Sequence, residues 1–429
     1  MDMNLKEGGI GEEAVGEIGM EERVRGLWRE VRELSLGSSG MVERLESAPS
    51  PLRFLREYAS ANKPCIVSRS ATEHWPAISK SLWEDDRYLC SKAALSQVSV
   101  HLTPDGRADA LVPLPHPQGE EGGSLCFASA CVRSMSLSEA LRLIVDTGKE
   151  DEAAGNVVAY AQQQNDCFRS EYGALAGDVD SHIPWATEAF GGCLPEAVNL
   201  WIGNARSHTS FHRDHYENLY AVITGEKHFL LLPPTDVHRL YIRRYPAAQY
   251  YYNYNSSSSS SSEGEVLELR LDEPRREVPW CSVDPCPPSQ EELQRQMVSF
   301  PLYFDGPQPF RCTVRAGEIL YLPSMWFHHV TQTPHHRTGR TIAINYWYDM
   351  QFDIKYAYFN FLQSIRCLSP TAATTTHRAT GSSSRLVSVH DNDNDNDDAD
   401  DMQHAHLHTL HMSDSDSDSG DDALLKTDT

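Results

Sequence analysis

Apolar residues recur along this chain with two periods, and the places where the period changes mark the elements. Between residues 20 and 36, Val24, Leu27, Val31 and Leu34 recur at helical spacing. This predicts an amphipathic helix that docks one stripe on the core. Ser50-Pro51 predicts a second helix, with serine as N-cap and proline in the first turn, carrying Leu52, Phe54, Leu55 and Tyr58. Cys65-Ile66-Val67 reads as a first strand. Val98, Val100 and Leu102 alternate with polar residues, so a half-buried strand is expected, ending at the Thr103-Pro104-Asp105-Gly106 turn. A Pro/Gly loop follows at 113–124. Ser136-Leu137-Ser138-Glu139 has the form of a capping box for a helix running to about Val145. Val157 to Gln162 predicts another strand, and 175–195 a loop that carries Trp185.

The most informative stretch is 198–234, VNLWIGNARSHTSFHRDHYENLYAVITGEKHFLLLPP. Two apolar runs, LYAVI and HFLLLPP, flank the short turn Thr224-Gly225-Glu226-Lys227, which predicts a hairpin stopped by Pro233-Pro234. Ala316-Gly317-Glu318 turns into a further strand, Ile319 to Pro323, and residues 340–348 alternate again. Between these halves lies an insertion, 236–300, with six tyrosines (241, 245, 250, 251, 252 and 254) crowded before the run Ser256–Ser262. A serine run of this kind has nothing to pack with. The insertion reads either as a lengthened surface loop or as a lid over a groove. The segment Phe352 to Ile365 is denser in aromatics than one stripe needs, so it packs on the sheets or on a second copy.

Chemistry enters at His212-Arg213-Asp214. Strand side chains alternate faces, so residues two apart point the same way. One imidazole and one carboxylate then converge, two thirds of the 2-His-1-carboxylate set that leaves open positions on non-haem Fe(II). A later histidine must complete it, and the segment FRCTVRAGEILYLPSMWFHHV offers His328 and His329. Lys227, at the start of a buried strand, is costly unless an anion pairs with it. Thr209 adds a hydroxyl three residues before His212. Metal, lysine and hydroxyl together point to a small dicarboxylate, one end on the metal and the other on the amine. Tyr160, a lone tyrosine, reads as a core aromatic with its hydroxyl satisfied.

Thr209, His212, Asp214, Asn218 and Lys227, with WFHHV and AINYWYD behind them, resemble the JmjC family of Fe(II)- and 2-oxoglutarate-dependent oxygenases, and within it a small lysyl hydroxylase. The likeness extends through PLRFLREYASANKPCIVS, HWPA, VSVHLTPDGRADAL, HYENLY, RCTVRAGEILYLP and NYWYDMQFDIKY, from about residue 50 to 366. It implies a mainly β fold with flanking helices, a double-stranded β-helix of the jelly-roll or cupin type. It implies His212, Asp214 and His328 as the Fe(II) ligands, His328 being the histidine that directly follows the aromatic pair Trp326-Phe327. It implies that 2-oxoglutarate and O2 are consumed, with Tyr160, Thr209, Asn218, Lys227 and Asn345 around the 2-oxoglutarate. Trp201 and Trp326 would wall the site against water.

The resemblance further implies a protein substrate oxidised at a lysine C–H, within a GTPase of the developmentally regulated type, with release of succinate and CO2. An N-methyl-lysine demethylase would use the same chemistry, but many of those carry zinc fingers or reader domains, which this sequence lacks. A non-catalytic cupin that binds a partner should have lost a ligand or the lysine, and all are present. No HExxH, Ser-His-Asp pattern or activated cysteine supports proteolysis. In related hydroxylases C-terminal helices of this kind dimerise, so a homodimer is expected.

Composition changes this picture little. Net charge is −24, but residues 391–429 hold thirteen Asp and one Lys, about half of the excess. The body is mildly acidic, without a basic stripe for nucleic acid. Ten cysteines occur without CxxC pairs, and neither Cys126/Cys131 nor Cys281/Cys286 has zinc-ribbon spacing, so free thiols in a reducing compartment, cytoplasm or nucleus, are expected. Acidic residues near the start argue against a signal peptide, and no apolar run is long enough for a membrane span. The division expected is a disordered 1–19, a catalytic domain 20–366 containing the insertion, and a disordered acidic tail 367–429. The tail holds HAHLHTLH, read as low-complexity drift rather than a metal site, and an Asp-Ser alternation at 413–419 that resembles acidic kinase sites.

Overall fold

Two sheets carry the second half of the chain and face one another. In the computed structural model, which describes residues 19–37, 40–114, 124–149, 157–252 and 267–365, the first sheet has six strands. Their order is Glu43–Leu45, Cys65–Val67, Ile319–Leu322, Tyr216–Thr224, Thr341–Asp349 and Ala197–Gly203. The second has five: Phe310–Arg315, Glu226–Leu232, Phe327–Thr333, His208–His212 and Arg107–Ala108. This is the jelly-roll arrangement expected. It is mostly β, with helices outside.

The alternation of side chains explains why these strands read as unbroken apolar runs. Along Tyr216–Thr224, Tyr220 and Val222 point between the sheets and meet Phe229 and Leu231 from the second sheet. Leu219, Ala221 and Ile223 point outward, into a cluster with Phe54, Trp75 and Ile344. Leu230 and Leu232 lie on the outer face of the second sheet, against Trp280, Phe300 and Phe327. Both faces of each central strand are therefore covered, and polar residues have no solvated side to occupy. The hairpin at Thr224 turns on Gly225, whose φ of +75° suits glycine; a Cβ there would meet the Thr341 hydroxyl at 2.6 Å.

The outer layer departs from the sequence reading in several places. The first helix spans Met20–Leu36, but its anchor is Trp28, whose indole donates to the Thr235 carbonyl at 2.9 Å. Leu34, counted on the buried stripe, is 74% exposed, because the buried side centres on Trp28, about 120° round the helix from it. Ser50 caps the second helix as expected, with Pro51 in its first turn. Phe54 and Tyr58, four apart, share its buried side, while Leu52 and Leu55 are exposed. The capping box at Ser136 forms with both of its bonds. The expected loop at 175–195 instead holds a short helix, Pro184–Ala189, which begins on its proline. It sets Trp185 edge-on to Phe54, ring centres 4.8 Å apart.

The insertion is not a bare loop. Its described residues form strands Arg243–Tyr252, Leu267–Leu271 and Glu277–Trp280 and helices Gln290–Ser299 and Pro301–Phe304. Arg243–Tyr252 pairs in parallel with Leu125–Ser129, so the insertion extends a sheet begun by Ala110–Pro113 and Leu125–Ser129, against the outside of the second sheet. Tyr254 and Ser256–Ser262 lie outside the described residues, as do the N-terminal 18 residues and everything from 366 on, including the histidine-rich run and the Asp-Ser alternation. The last helix, Ile354–Ser364, buries Phe359 and Leu362 and leaves Ile354, Tyr358 and Phe361 exposed. The described cysteines are all free thiols, and among the described residues no helix is long and apolar enough to cross a membrane.

One buried ion cluster ties insertion to first helix. Asp236 accepts from Arg239 Nη1 at 2.5 Å and from Arg32 Nη2 at 2.9 Å, and both Asp236 and Arg239 are fully buried. Replacing Asp236 by Ala strands a buried guanidinium, so we expect a loss of about 3–5 kcal/mol. Urea unfolding measures it; a change below about 1 kcal/mol would show that the cluster does not hold the helix.

Candidate active site

His208–His212 and Phe327–Thr333 run antiparallel, with His212 directly opposite His328. One register step earlier the pairing slips: Thr209 is opposite Val330, three residues from His212 on one strand but two on the other. The extra residue is a β-bulge, which changes which face a side chain takes. Without it Thr209 and His212 would face opposite ways; with it both line the same cavity. Asp214 is not on the strand as expected. It lies two residues beyond its end, in the link to Tyr216–Thr224. Arg213 packs its guanidinium 5.3 Å over Phe327, donating to Gln363 at 2.7 Å.

His212, Asp214 and His328 bring one ligand atom each within 4.8 Å of the others. His212 Nε2 is 3.9 Å and His328 Nε2 3.6 Å from the Asp214 carboxylate, and each of the three side chains is less than a tenth exposed. Both imidazoles are oriented by main-chain carbonyls two residues before them. His212 Nδ1 contacts Ser210 O at 2.9 Å, and His328 Nδ1 contacts Trp326 O at 3.1 Å. With Nδ1 donating, Nε2 of each ring presents its lone pair toward the carboxylate, the tautomer a metal needs. The donor set of two nitrogens and one oxygen fits a divalent ion. His329 points to the other face, beside Phe211 and His208, where burial holds its pKa down at about 3.

The turn before His328 is fixed from below. Glu217, buried, accepts from the Tyr321 hydroxyl at 2.6 Å and from the Ser324 hydroxyl and amide at 3.0 and 3.2 Å. Met325, at φ +68°, donates its amide to the Asp214 carbonyl at 2.9 Å. The two ligand-bearing segments are thus bonded to each other, apart from any metal.

Lys227 is 1% exposed. Its ammonium donates to the Tyr160 hydroxyl at 2.9 Å and sits 5.1 Å from that ring's centre. Among the described residues no carboxylate pairs with it, and burial alone lowers its pKa to about 7. Tyr160 also bonds the Thr209 side chain, and burial raises its pKa well above the usual range. On the facing sheet Trp201 donates to Asn345 Oδ1 at 2.8 Å, and Asn345 Nδ2 to Asn218 Oδ1 at 3.3 Å. Tyr160, Thr209, His212, Asp214, Asn218, His328 and Asn345 all line one cavity, and Lys227 lies directly behind Tyr160.

Trp201 lines that cavity as expected; Trp326 does not. Its indole bonds Asn62 and its ring packs near Phe310, because it lies two residues before His328 across a tight turn. Sequence reasoning missed Gln164 and Trp347, which line the cavity, and Trp280, which lies beside His212. Trp347 shares the face of Asn345, two residues away, and alternation alone would have found it. For Trp280 the sequence carries no signal.

A His-Asp-His cluster at a cavity, backed by a buried lysine that meets no carboxylate among the described residues, is the arrangement of the oxygenases that take 2-oxoglutarate as co-substrate, and fold and site place this chain in that class. The cupin-like domain family matches residues 51–354, and the chain belongs to its JmjC oxygenases. It is 57% identical over 346 residues to lysine-specific demethylase JMJ32 of Arabidopsis thaliana, covering 81% of this chain and 92% of the relative. It is 39% identical over 324 residues to bifunctional peptidase and (3S)-lysyl hydroxylase JMJD7 of Homo sapiens, covering 76% and 89%. JmjC domain-containing protein E of Dictyostelium discoideum is 36% identical over 326 residues, covering 75% and 88%.

The lowered pKa of Lys227 sets a pH dependence. In the free protein the amine is charged below about 7 and neutral above. A dicarboxylate needs it charged, so above pH 7 binding takes up a proton. We expect affinity to fall by up to about tenfold per pH unit there, until the raised pKa of the complex is passed. The unliganded fold responds in the opposite sense. The folded pKa lies below the unfolded value of about 10.4, so its stability rises between about pH 7 and 10.4. Calorimetry in buffers of different ionisation enthalpy reads the proton uptake, and Lys227→Met should abolish it; uptake that persists in that variant would exclude Lys227 as its source.

Proposed function

We propose that the chain is an Fe(II)- and 2-oxoglutarate-dependent protein lysyl hydroxylase. The observation that carries the co-substrate is Lys227, a fully buried ammonium without a carboxylate among the described residues, one hydroxyl away from a His-Asp-His cluster. A buried charge of that kind is sustained by an anion. A dicarboxylate reaching from the metal supplies one.

In this reading His212, Asp214 and His328 hold iron(II) on one face. Lys227, Tyr160 and Thr209 hold the far carboxylate of 2-oxoglutarate by charge-assisted hydrogen bonds in a dry space. Asn218 and Asn345 present amides to the same cavity. Trp201 and Tyr220 keep bulk water from it, being 8% and 6% exposed. Bound iron and 2-oxoglutarate supply the oxidation, in which O2 yields succinate, CO2 and one oxygen atom inserted into a C–H bond.

The names of two relatives support lysine as the target, one as lysine-specific demethylase and one as lysyl hydroxylase. Charge placement favours a chain carbon over an N-methyl group. An N-methyl carbon near the metal would bring its cationic nitrogen next to a divalent cation, which calls for a further carboxylate. Among the described residues Asp214 is the one carboxylate that lines the cavity, and it is committed to the two histidines. Demethylation is the second reading, favoured by the 57% identity to a relative named for it. The family resemblance supports a GTPase as substrate. The exposed Ile354, Tyr358 and Phe361 of the last helix support pairing with a second copy.

His212→Ala is expected to abolish succinate formation with the circular dichroism spectrum unchanged; turnover in that variant would refute the metal assignment. Lys227→Ala should raise the KM for 2-oxoglutarate at least tenfold while iron still binds. Mass spectrometry of lysine and methyl-lysine peptides incubated with iron, 2-oxoglutarate and oxygen decides the reaction. A stable gain of one oxygen supports hydroxylation; loss of a methyl group establishes the second reading.

A further inference from the structure

We propose that Trp280, delivered by the insertion, is a positioning residue for His212. The inference rests on the metal reading above and deepens it. Trp280 ends the strand Glu277–Trp280, pairs with Arg243 of the same insertion, and is 2% exposed. Its ring lies parallel to the His212 imidazole, the planes 4° apart and the centres 6.4 Å apart. Its indole N–H donates to the Ser210 hydroxyl at 3.2 Å. That hydroxyl in turn donates to the Asp109 carbonyl, in the turn after the edge strand Arg107–Ala108. The carbonyl of the same Ser210 meets His212 Nδ1 at 2.9 Å.

The bulge makes these contacts necessary. Regular pairing with Phe327–Thr333 is interrupted between Thr209 and His212, so Ser210 and Phe211 lie where the ladder does not set the backbone. Ser210 is held instead from the side, by Trp280 and by Asp109. His212 then has its Nδ1 fixed by a held carbonyl and one side of its ring flanked by a rigid plane. Phe127 packs against Trp280, ring centres 4.7 Å apart at 61°, and Trp280 is 2% exposed. A metal ligand locked in one rotamer before the metal arrives loses no rotamer freedom on binding, and partners of this kind change metal affinity by roughly 10–100-fold.

The test titrates Co(II) into the metal-free full-length chain, followed by calorimetry and by the visible ligand-field bands. Trp280→Leu, which removes the plane and the N–H, is expected to weaken Co(II) binding at least tenfold and shift the bands. Trp280→Phe, which keeps a flat ring, should recover most of the affinity. Ser210→Ala leaves the carbonyl on His212 but removes the acceptor for Trp280 and the tie to Asp109. It should weaken binding several-fold, and it carries the test alone should the leucine variant not fold. Leucine and alanine variants that match the parent in affinity and spectrum would overturn the inference, as would a phenylalanine variant no better than the leucine one. A parent chain that binds no Co(II) would overturn both this inference and the metal reading; a parent that binds, with variants equal to it, overturns this inference alone.

Discussion

The structure depends on a charge placed where water cannot reach it. Lowering the Lys227 pKa from 10.5 to about 7 corresponds to about 5 kcal/mol against the charged form. Among the described residues no carboxylate offsets that cost; Tyr160 offers a neutral hydroxyl and a ring face. A fold that only needed stability would have an apolar residue at this position, as Phe229 and Leu231 occupy the next inward positions of the same strand. In the proposed function an anionic ligand offsets that cost, so ligand binding and fold stability are linked at one side chain.

Around that charge the two sheets act as a rigid mould. Each central strand is apolar on both faces, so a one-residue slip would exchange two well-packed sets of side chains and is strongly disfavoured. At the bulge before His212 the metal strand turns two residues of opposite parity toward one cavity, and in the other sheet the register also shifts between Val222 and Thr224. Glu217, on the central strand Tyr216–Thr224, supports the Pro323–Met325 turn, and the insertion supports the bulge at Ser210.

Membership of the JmjC oxygenases was legible because its marks are local. His212-Arg213-Asp214, the lysine opening a hairpin strand, and the histidine pair after Trp326-Phe327 are each contiguous in the chain. The outer layer was less legible. Val24 and Leu34 fit the same helical period, yet only Val24 is buried. Which side of a helix is buried depends on what it meets, and Trp28 meets Thr235 more than 200 positions away.

By itself the sequence determined the strands, the hairpin, the caps at Ser50 and Ser136, and the residue types able to hold a metal and a dicarboxylate, because each follows from side-chain period or spacing over a few residues. The family resemblance had already pointed to His328, which register sets opposite His212; only the tertiary structure decided that a bulge turns Thr209 toward the site, that Trp326 leaves it, and that Trp280 lies beside His212. Those outcomes follow from register between strands and from packing across sheets, which join residues by distance in space and leave no trace in local spacing.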